Sequence, residues 1–527
     1  MYNKRDKIIS IILTASAVLP LLCSCGISFT RNTETTPPET AEPTTAETVV
    51  ETTETTLQSR ETEETAETVS AESTFETAVD TKQIDPYYVR TADGVDPEMM
   101  NADYWIGEND NVIIMNADEI AEYNRRNRAV IMASDDTTVF PHLDEFGDTF
   151  DGDILRTFLN DNAESIPDYP PRYYQDGGRT DYAYWRDLIE LSNIDAVEDV
   201  IQVQYAYTVK RMTLRLFPTE DRVFDGPDDL YFDYILYAEC MPYMPCVVLH
   251  ESTDGEYLYV VFDSYSAWVR KDAVALCRDR DDWVERQNPD QWLVVTAREI
   301  RLGNDPYSEA TTDLVLPMGT QMELVSADEA PEVINQRTTY GDYVVKVPTR
   351  GSSGYIEDEY VLIPVSDDVH VGFLPYTSEN IVRQAFKLLG DRYGWGGDLQ
   401  ANDCTGITRE IFRCFGILLP RVGQSNSKGV YKVDLSDMDE DEKLNVIADL
   451  IPGSLISFPG HMMIYLGTVD NVPYVISAVG TFVAPEPGPD DKIHPDSVII
   501  TSLYVRRSSL KTWLESASVA MTIKPEK

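Results

Sequence analysis

Histidine is scarce in this chain, with five among 527 residues. A metal site built from several imidazoles is therefore excluded in practice, and each histidine can be weighed singly. Basic residues are few as well: 43 Lys and Arg stand against 91 Asp and Glu, a formal net charge of −48. Proteins that track nucleic acids gain affinity when Lys and Arg displace counterions from phosphates, so that class of partner is excluded. No Cys-x-x-Cys spacing occurs, which argues against structural zinc. The GWGG run at 394–397 has no following Gly-Lys-Ser or Gly-Lys-Thr, so it is no phosphate loop. Apolar residues at 43% and aromatics at 10% suffice for several cores. At roughly 150 residues per domain the length suggests three or four of them.

Lys4, Arg5 and Lys7 precede an apolar run from Ile8 to Leu22. That run falls short of the roughly 20 residues that span a bilayer and suits the apolar core of an export signal. It ends in Leu22-Cys23-Ser24-Cys25-Gly26, which resembles a bacterial lipoprotein signal. The resemblance implies that residues 1–25 form the signal and that Cys25 is lipidated and tethers the exported protein to the cell membrane, facing the wall. Residues 26–84 are dominated by Thr, Glu, Ala and Pro with almost no aromatics. Such a segment cannot offset its chain entropy by burial, and its like charges extend it, so a disordered stalk is expected.

Five cysteines follow the signal: Cys240, Cys246, Cys277, Cys404 and Cys414. An odd number leaves at least one thiol unpaired, and Cys240 and Cys246 read as two buried thiols. Residues 85–184 are mixed in character, with helical spacing over Ala117 to Arg128, acids early and arginines late. From about Tyr205, short Val/Tyr/Leu-rich runs alternate with Asp/Gly/Pro turns. CVVLHES and EYLYVVF flank Thr253-Asp254-Gly255 as a hairpin. A second set of short runs begins at Trp292. Each set reads as a small barrel, and TLRLFPT, SAWVRKDAVA, WLVVTAREIRL and GYIEDEYVLI resemble bacterial SH3-like domains, at 185–290 and 291–366.

The chemistry is concentrated after Asn380. NIVRQAFKLLG is helical by spacing, and Ile407, Ile411, Phe412 and Phe415 continue a second helical pattern that begins at Cys404. Asp403 stands at its N-cap. A thiol in the first turn of a helix faces the positive dipole end, which favours the thiolate, and the same terminus can offer N–H groups to an oxyanion. His461 opens the apolar run HMMIYLG after Phe458-Pro459-Gly460 and is the candidate base for that thiol. His142, His250 and His370 read as structural.

YGWGG, DCTG, LPR and PGHMMIYLG in this order resemble the NlpC-type family of papain-like cysteine peptidases, which cut the stem peptides of bacterial peptidoglycan. The resemblance covers about residues 85–522. The implied fold is multidomain α+β: a papain-like α+β peptidase at 367–527, preceded by two small SH3-like β-barrels and a mixed, partly helical N-terminal segment. It further implies Cys404 as nucleophile, His461 as general base and acid, and Tyr393, Trp395, Asp403 and Thr405 as substrate-binding, with the leading SH3-like domain walling one end of the cleft. No metal or cofactor is implied, and a monomer is expected. The bond implied is γ-D-glutamyl to diamino acid, in a peptide starting with free L-Ala. Two positions depart from the family. Ser477 stands in YVISA where a histidine is usual, so the third catalytic role falls to Ser477, with His494 as a substitute. Val422 follows LPR where an aspartate would grip the free amine. Two other readings stay open: a wall-binding protein with weakened or lost peptidase activity, and a papain-like acyltransferase.

Overall fold

The computed structural model describes residues 89–164, 171–421, 423–486 and 492–525. The signal with Cys25, the stalk, and Val422 lie outside the described residues.

Polar caps set where the first helices begin. Asn116 accepts from Asp118 N and Glu119 N while Glu119 reaches back to Asn116 N, so α1 (Ala117–Arg126) starts in a capping box. α2 (Gly152–Glu164) follows, and Asp181 caps α3 (Tyr182–Leu191). These elements serve two different cores. Val95, Met99, Trp105, Met115 and Tyr123 are buried with Ile381, Ile407, Phe412 and Ile464 of the C-terminal region. Phe140, Phe150, Leu155 and Phe158 are buried instead with Tyr205, Tyr207 and Trp268. Hydrogen bonds repeat the division: Tyr474 Oη donates to Gly94 O at 2.7 Å, and Tyr205 Oη donates to Phe146 O at 3.0 Å. Tyr173 and Tyr174 pair with Val223 and Phe224, which stitches this segment to the strands that follow.

The first large sheet contains β1 (Gln204–Thr208), β2 (Met212–Arg215), β3 (Leu236–Cys240), β4 (Pro245–Glu251), β5 (Tyr257–Val261), β6 (Ser266–Arg270) and β7 (Val274–Leu276). Its order is β7-β1-β4-β5-β6-β2-β3, antiparallel throughout. The β4–β5 hairpin turns at Thr253-Asp254-Gly255, where Gly255 takes a positive φ of 73° that costs a glycine nothing. The short helix α4 (Arg280–Glu285), capped by Asp279, leads to a second sheet. There β8 (Trp292–Val295), β9 (Gln321–Leu324), β10 (Asp342–Arg350), β11 (Ile356–Pro364) and β12 (Val369–Val371) run in the order β11-β10-β9-β8-β12.

In the C-terminal region, α5 (Ser378–Lys387) and α6 (Cys404–Arg413) pack together, and α6 lies on a six-stranded antiparallel sheet. That sheet comprises β13 (Val430–Asp434), β14 (Leu455–Phe458), β15 (His461–Val469), β16 (Val472–Val479), β17 (Ser497–Ser502) and β18 (Val519–Pro525). Its order is β13-β18-β14-β15-β16-β17. The other face of the sheet is covered by α7 (Glu440–Ala448) and α8 (Trp513–Ser516) through Ile447, Trp513 and Leu514. From Thr91 onward the described chain is one compact unit. Among the described residues no helix is long and apolar enough to cross a membrane.

Candidate active site

Cys404 is the first residue of α6 and is buried at 6% exposure. The carboxylate of its N-cap, Asp403, accepts from Thr405 N at 3.1 Å, Gly406 N at 2.8 Å and Gly396 N at 3.0 Å. The Asp403 carbonyl takes Ile407 N at 3.1 Å. The amides of Thr405, Gly406 and Ile407 are thus engaged by Asp403.

Asp403 is itself wholly inside the protein. Arg421 forks onto it, Nη2 to Oδ2 at 2.5 Å and Nη1 to Oδ1 at 3.1 Å, and Arg421 Nη1 also donates to Thr405 Oγ1. Burial alone would raise the Asp403 carboxyl. The Arg421 cation and the hydrogen bonds from Gly406, Arg421 and Thr405 outweigh it and hold the group below its ordinary value. Arg421 is held above its own ordinary value: burial lowers it, Asp403 more than offsets that, and Cys404 adds to the same side. The attraction is mutual, so the buried guanidinium favours the Cys404 thiolate beside the helix dipole. Arg421 is the residue whose part sequence reasoning left unassigned. Its signal was LPR, where an arginine after Leu-Pro enters an otherwise apolar turn.

His461 opens β15, the strand against which α6 packs, and Met462 shares a core with Cys404. The imidazole is 5% exposed and held between Phe458 and Trp513, ring centroids 5.4 and 4.8 Å away. Its Nε2 lies 3.1 Å from Ser477 Oγ on the adjacent strand β16, and Ser477 is fully buried. His494 follows the strand Lys492–Ile493 and acts electrostatically on Asp229 and Asp496.

The other expected site residues separate into two kinds. Asp403 and Thr405 are locked in the Arg421 cluster, and the Thr405 hydroxyl donates to Asp403 Oδ1 at 2.9 Å. Tyr393 is fully buried, its amide donating to Asp496 O at 2.7 Å. Trp395 is half-buried and stands 5.6 Å, centroid to centroid, from Phe232, which comes from the first sheet's β2–β3 connection. The glycines after Trp395 explain that approach. Both Gly396 and Gly397 adopt positive φ, and a Cβ on Gly397 would fall on the Glu239 side chain of β3. Arg222 ties down the same loop by an ion pair to Asp398.

The remaining thiols are structural. Cys240, Cys246, Cys277 and Cys414 are free and buried, and burial pushes each above the ordinary thiol range, Cys277 and Cys414 to about 12. His250 Nε2 bonds to Asn193 O and His370 Nδ1 to Gly372 O, while His142 leads into a short 3-10 turn. Among the described residues no group of three His, Cys, Asp or Glu side chains is placed to hold a metal ion.

Comparison with known proteins gives this geometry a context. Residues 222–270 match the model of the SH3 domain (SH3b1 type), and residues 390–479 match that of the NlpC/P60 family. No curated protein matches the chain. Among solved structures, a novel NlpC/P60 endopeptidase from Photobacterium damselae subsp. piscicida is similar with a TM-score of 0.62 at 17% identity, covering 81% of this chain and 98% of that one. An NlpC/P60 family protein from Bacillus cereus ATCC 10987, also 17% identical, aligns with a TM-score of 0.39 over 61% of this chain and 100% of that one. The segment that carries Cys404, His461 and Ser477 is thus of NlpC/P60 type and cysteine-peptidase-like, and the strands ahead of it include an SH3 domain of the SH3b1 type.

Proposed function

We propose that this chain is a peptidoglycan stem-peptide endopeptidase that hydrolyses the γ-D-glutamyl–diamino acid bond through Cys404 and His461. The observation that carries the reading is the His461–Ser477 hydrogen bond, on the strand pair against which the Cys404 helix packs. The Cys404 thiolate adds to the scissile carbonyl while His461 holds the proton. Collapse of the tetrahedral adduct passes that proton to the departing amine and leaves a thioester. Water, deprotonated by the same imidazole, then cleaves the thioester and restores the thiol. Ser477 holds the ring by accepting from Nε2–H, so that Nδ1 can take the thiol proton.

The same proposal covers the surroundings. Cys25 would anchor the exported chain to the membrane, with residues 26–84 as a spacer, 85–184 as a bracing segment and SH3-like modules at 185–290 and 291–366 ahead of the peptidase at 367–527. Phe232 against Trp395 supports a role for the first module in shaping one end of the cleft. With Val422 in place of an acid, a free N-terminal amine is not required by that route.

The test incubates the chain and its Cys404→Ala variant with L-Ala-γ-D-Glu-L-Lys and with the N-acetylated peptide, following release of lysine by mass spectrometry. Cleavage of both by the wild type alone supports the reading and the dispensable amine. Binding without cleavage favours the wall-binding alternative, and transfer of the acyl group to an added amine favours the acyltransferase.

A further inference from the structure

α1 lies ahead of both sheets in the chain, yet its side chains grip a loop of the peptidase. At one end of that loop Asn124 donates through Nδ2 to Gly416 O at 2.8 Å and accepts from Leu418 N at 2.9 Å. At the other end Asn127 donates through Nδ2 to Lys428 O at 3.2 Å and accepts from Lys428 N at 2.6 Å. Each amide offers a donor and an acceptor side by side, so it pairs with backbone much as a neighbouring strand would. Between the two clamps runs 417–428, which carries Arg421. Among its described residues the regular structure is the single 3-10 turn Gln424–Asn426.

A third contact reaches inward. Tyr123 Oη lies 3.0 Å from Ser427 Oγ, and Ser427 Oγ donates to Gln424 O at 2.8 Å. The serine proton is committed there, so the tyrosine is the donor. Gln424 is buried, with Nε2 donating to Thr405 O at 3.3 Å and Oε1 2.8 Å from Thr408 Oγ1. Contacts therefore run unbroken from α1 to the residue that follows Cys404. α6 holds the middle of the loop, where Arg409 Nε donates to Leu419 O at 3.3 Å, and α1 holds its ends. An irregular segment with few bonds of its own opens locally at low cost. A long side chain such as Arg421 then regains its rotamer freedom and leaves its partner.

We propose that Tyr123, Asn124 and Asn127 of α1 are positioning residues for the Arg421 loop and, through Arg421, set how readily the Cys404 thiol ionises. The proposal rests on the reading of Cys404 as nucleophile. On it, the peptidase is completed by a helix that precedes both sheets, and the thiolate is fully favoured only once α1 has docked. Neither asparagine touches the thiol or the imidazole, so each acts only through the loop.

The test follows alkylation of Cys404 by iodoacetamide against pH in the full chain, read by peptide mapping. Wild type is compared with the double variant Asn124→Ala and Asn127→Ala. The control is Asp103→Ala, which breaks a different contact between the N-terminal segment and the peptidase, the ion pair to Arg383. The expected result is an alkylation midpoint about one pH unit higher in the double variant and unmoved in Asp103→Ala. A merely structural role would lower the melting temperature and leave the midpoint of the folded protein where it was. A wild-type midpoint in the double variant, or an equal shift in Asp103→Ala, would overturn the inference. An ordinary thiol midpoint in the wild type would instead sink the nucleophile reading, and the inference with it. Should the double variant fail to fold, Asn127→Ala alone decides by the same shift, since its lost bonds lie at the exposed end of the loop.

Discussion

Ser477 Oγ lies 3.1 Å from His461 Nε2 across two adjacent strands. A hydroxyl at this position orients the ring, whether it accepts from Nε2–H or donates to Nε2, but carries no charge to stabilise the imidazolium. An orienting carboxylate in a serine protease is worth about 10⁴ in rate, and a neutral hydroxyl is worth less. Ser477→Ala is expected to lower kcat roughly ten- to hundredfold with KM nearly unchanged. Ser477→Asp should restore or exceed wild-type kcat if it folds. Steady-state kinetics on the stem peptide check both.

Arg421 and Asp403 form a buried ion pair beside the nucleophile. Removing one partner strands the other charge, so Arg421→Ala is expected to destabilise the protein by about 3–5 kcal/mol. Asp403 titrates below its ordinary value in the folded state. Its contribution is therefore present above the unfolded carboxyl range, near 3.8, and is lost as pH falls through the lower folded value. Acid unfolding of Arg421→Ala should begin at higher pH than that of the wild type, as read by circular dichroism.

Glu410 behaves in the opposite sense, because burial pushes it up to about 7. The folded state prefers the protonated acid, so its favourable contribution is complete below the unfolded value near 4.5 and is lost as pH rises through about 7. Glu410→Gln is expected to flatten the decline of the melting temperature between pH 4.5 and 7. Scanning calorimetry across that window supplies the comparison.

Phe232 and Gly397 test the role of the first sheet. Phe232→Ala takes away the ring against Trp395 and should raise KM several-fold with a smaller change in kcat. Gly397→Ala forces a Cβ into Glu239 at a positive φ and should lower both stability and activity, by about 2 kcal/mol or more in stability.

Cys404 should be the single thiol of the five described that iodoacetamide modifies in the folded protein near pH 6. The other four are buried and raised above the ordinary thiol range. Peptide mapping before and after unfolding distinguishes one modified site from several.

The elements around the site were readable because their signals are local. Asp403 caps the helix it immediately precedes, the β4–β5 hairpin turns where Thr253-Asp254-Gly255 stands, and the periods of α5 and α6 belong to single segments. Residues 85–184 read as one mixed segment, yet their described apolar side chains are divided between the C-terminal core and that of the first sheet. Sequence shows that Trp105 and Phe150 are apolar and does not show which distant surface each one covers.

The sequence by itself determined which residues could do chemistry: one thiol at a helix start, one histidine at a strand start and a serine where a stronger partner is usual. The first two choices rest on side-chain type and short spacing, which no packing alters, and the serine rests on the family resemblance. Only the tertiary structure decided how the groups are held. The arginine at 421 reaches back 18 residues to Asp403, and Ser477 reaches His461 across a strand pair. The face of α6 that bears Arg409 and Arg413 is buried rather than solvated. Charge along a helix usually marks an exposed face, and here packing against the first sheet reverses that meaning, because burial makes each charge require a partner.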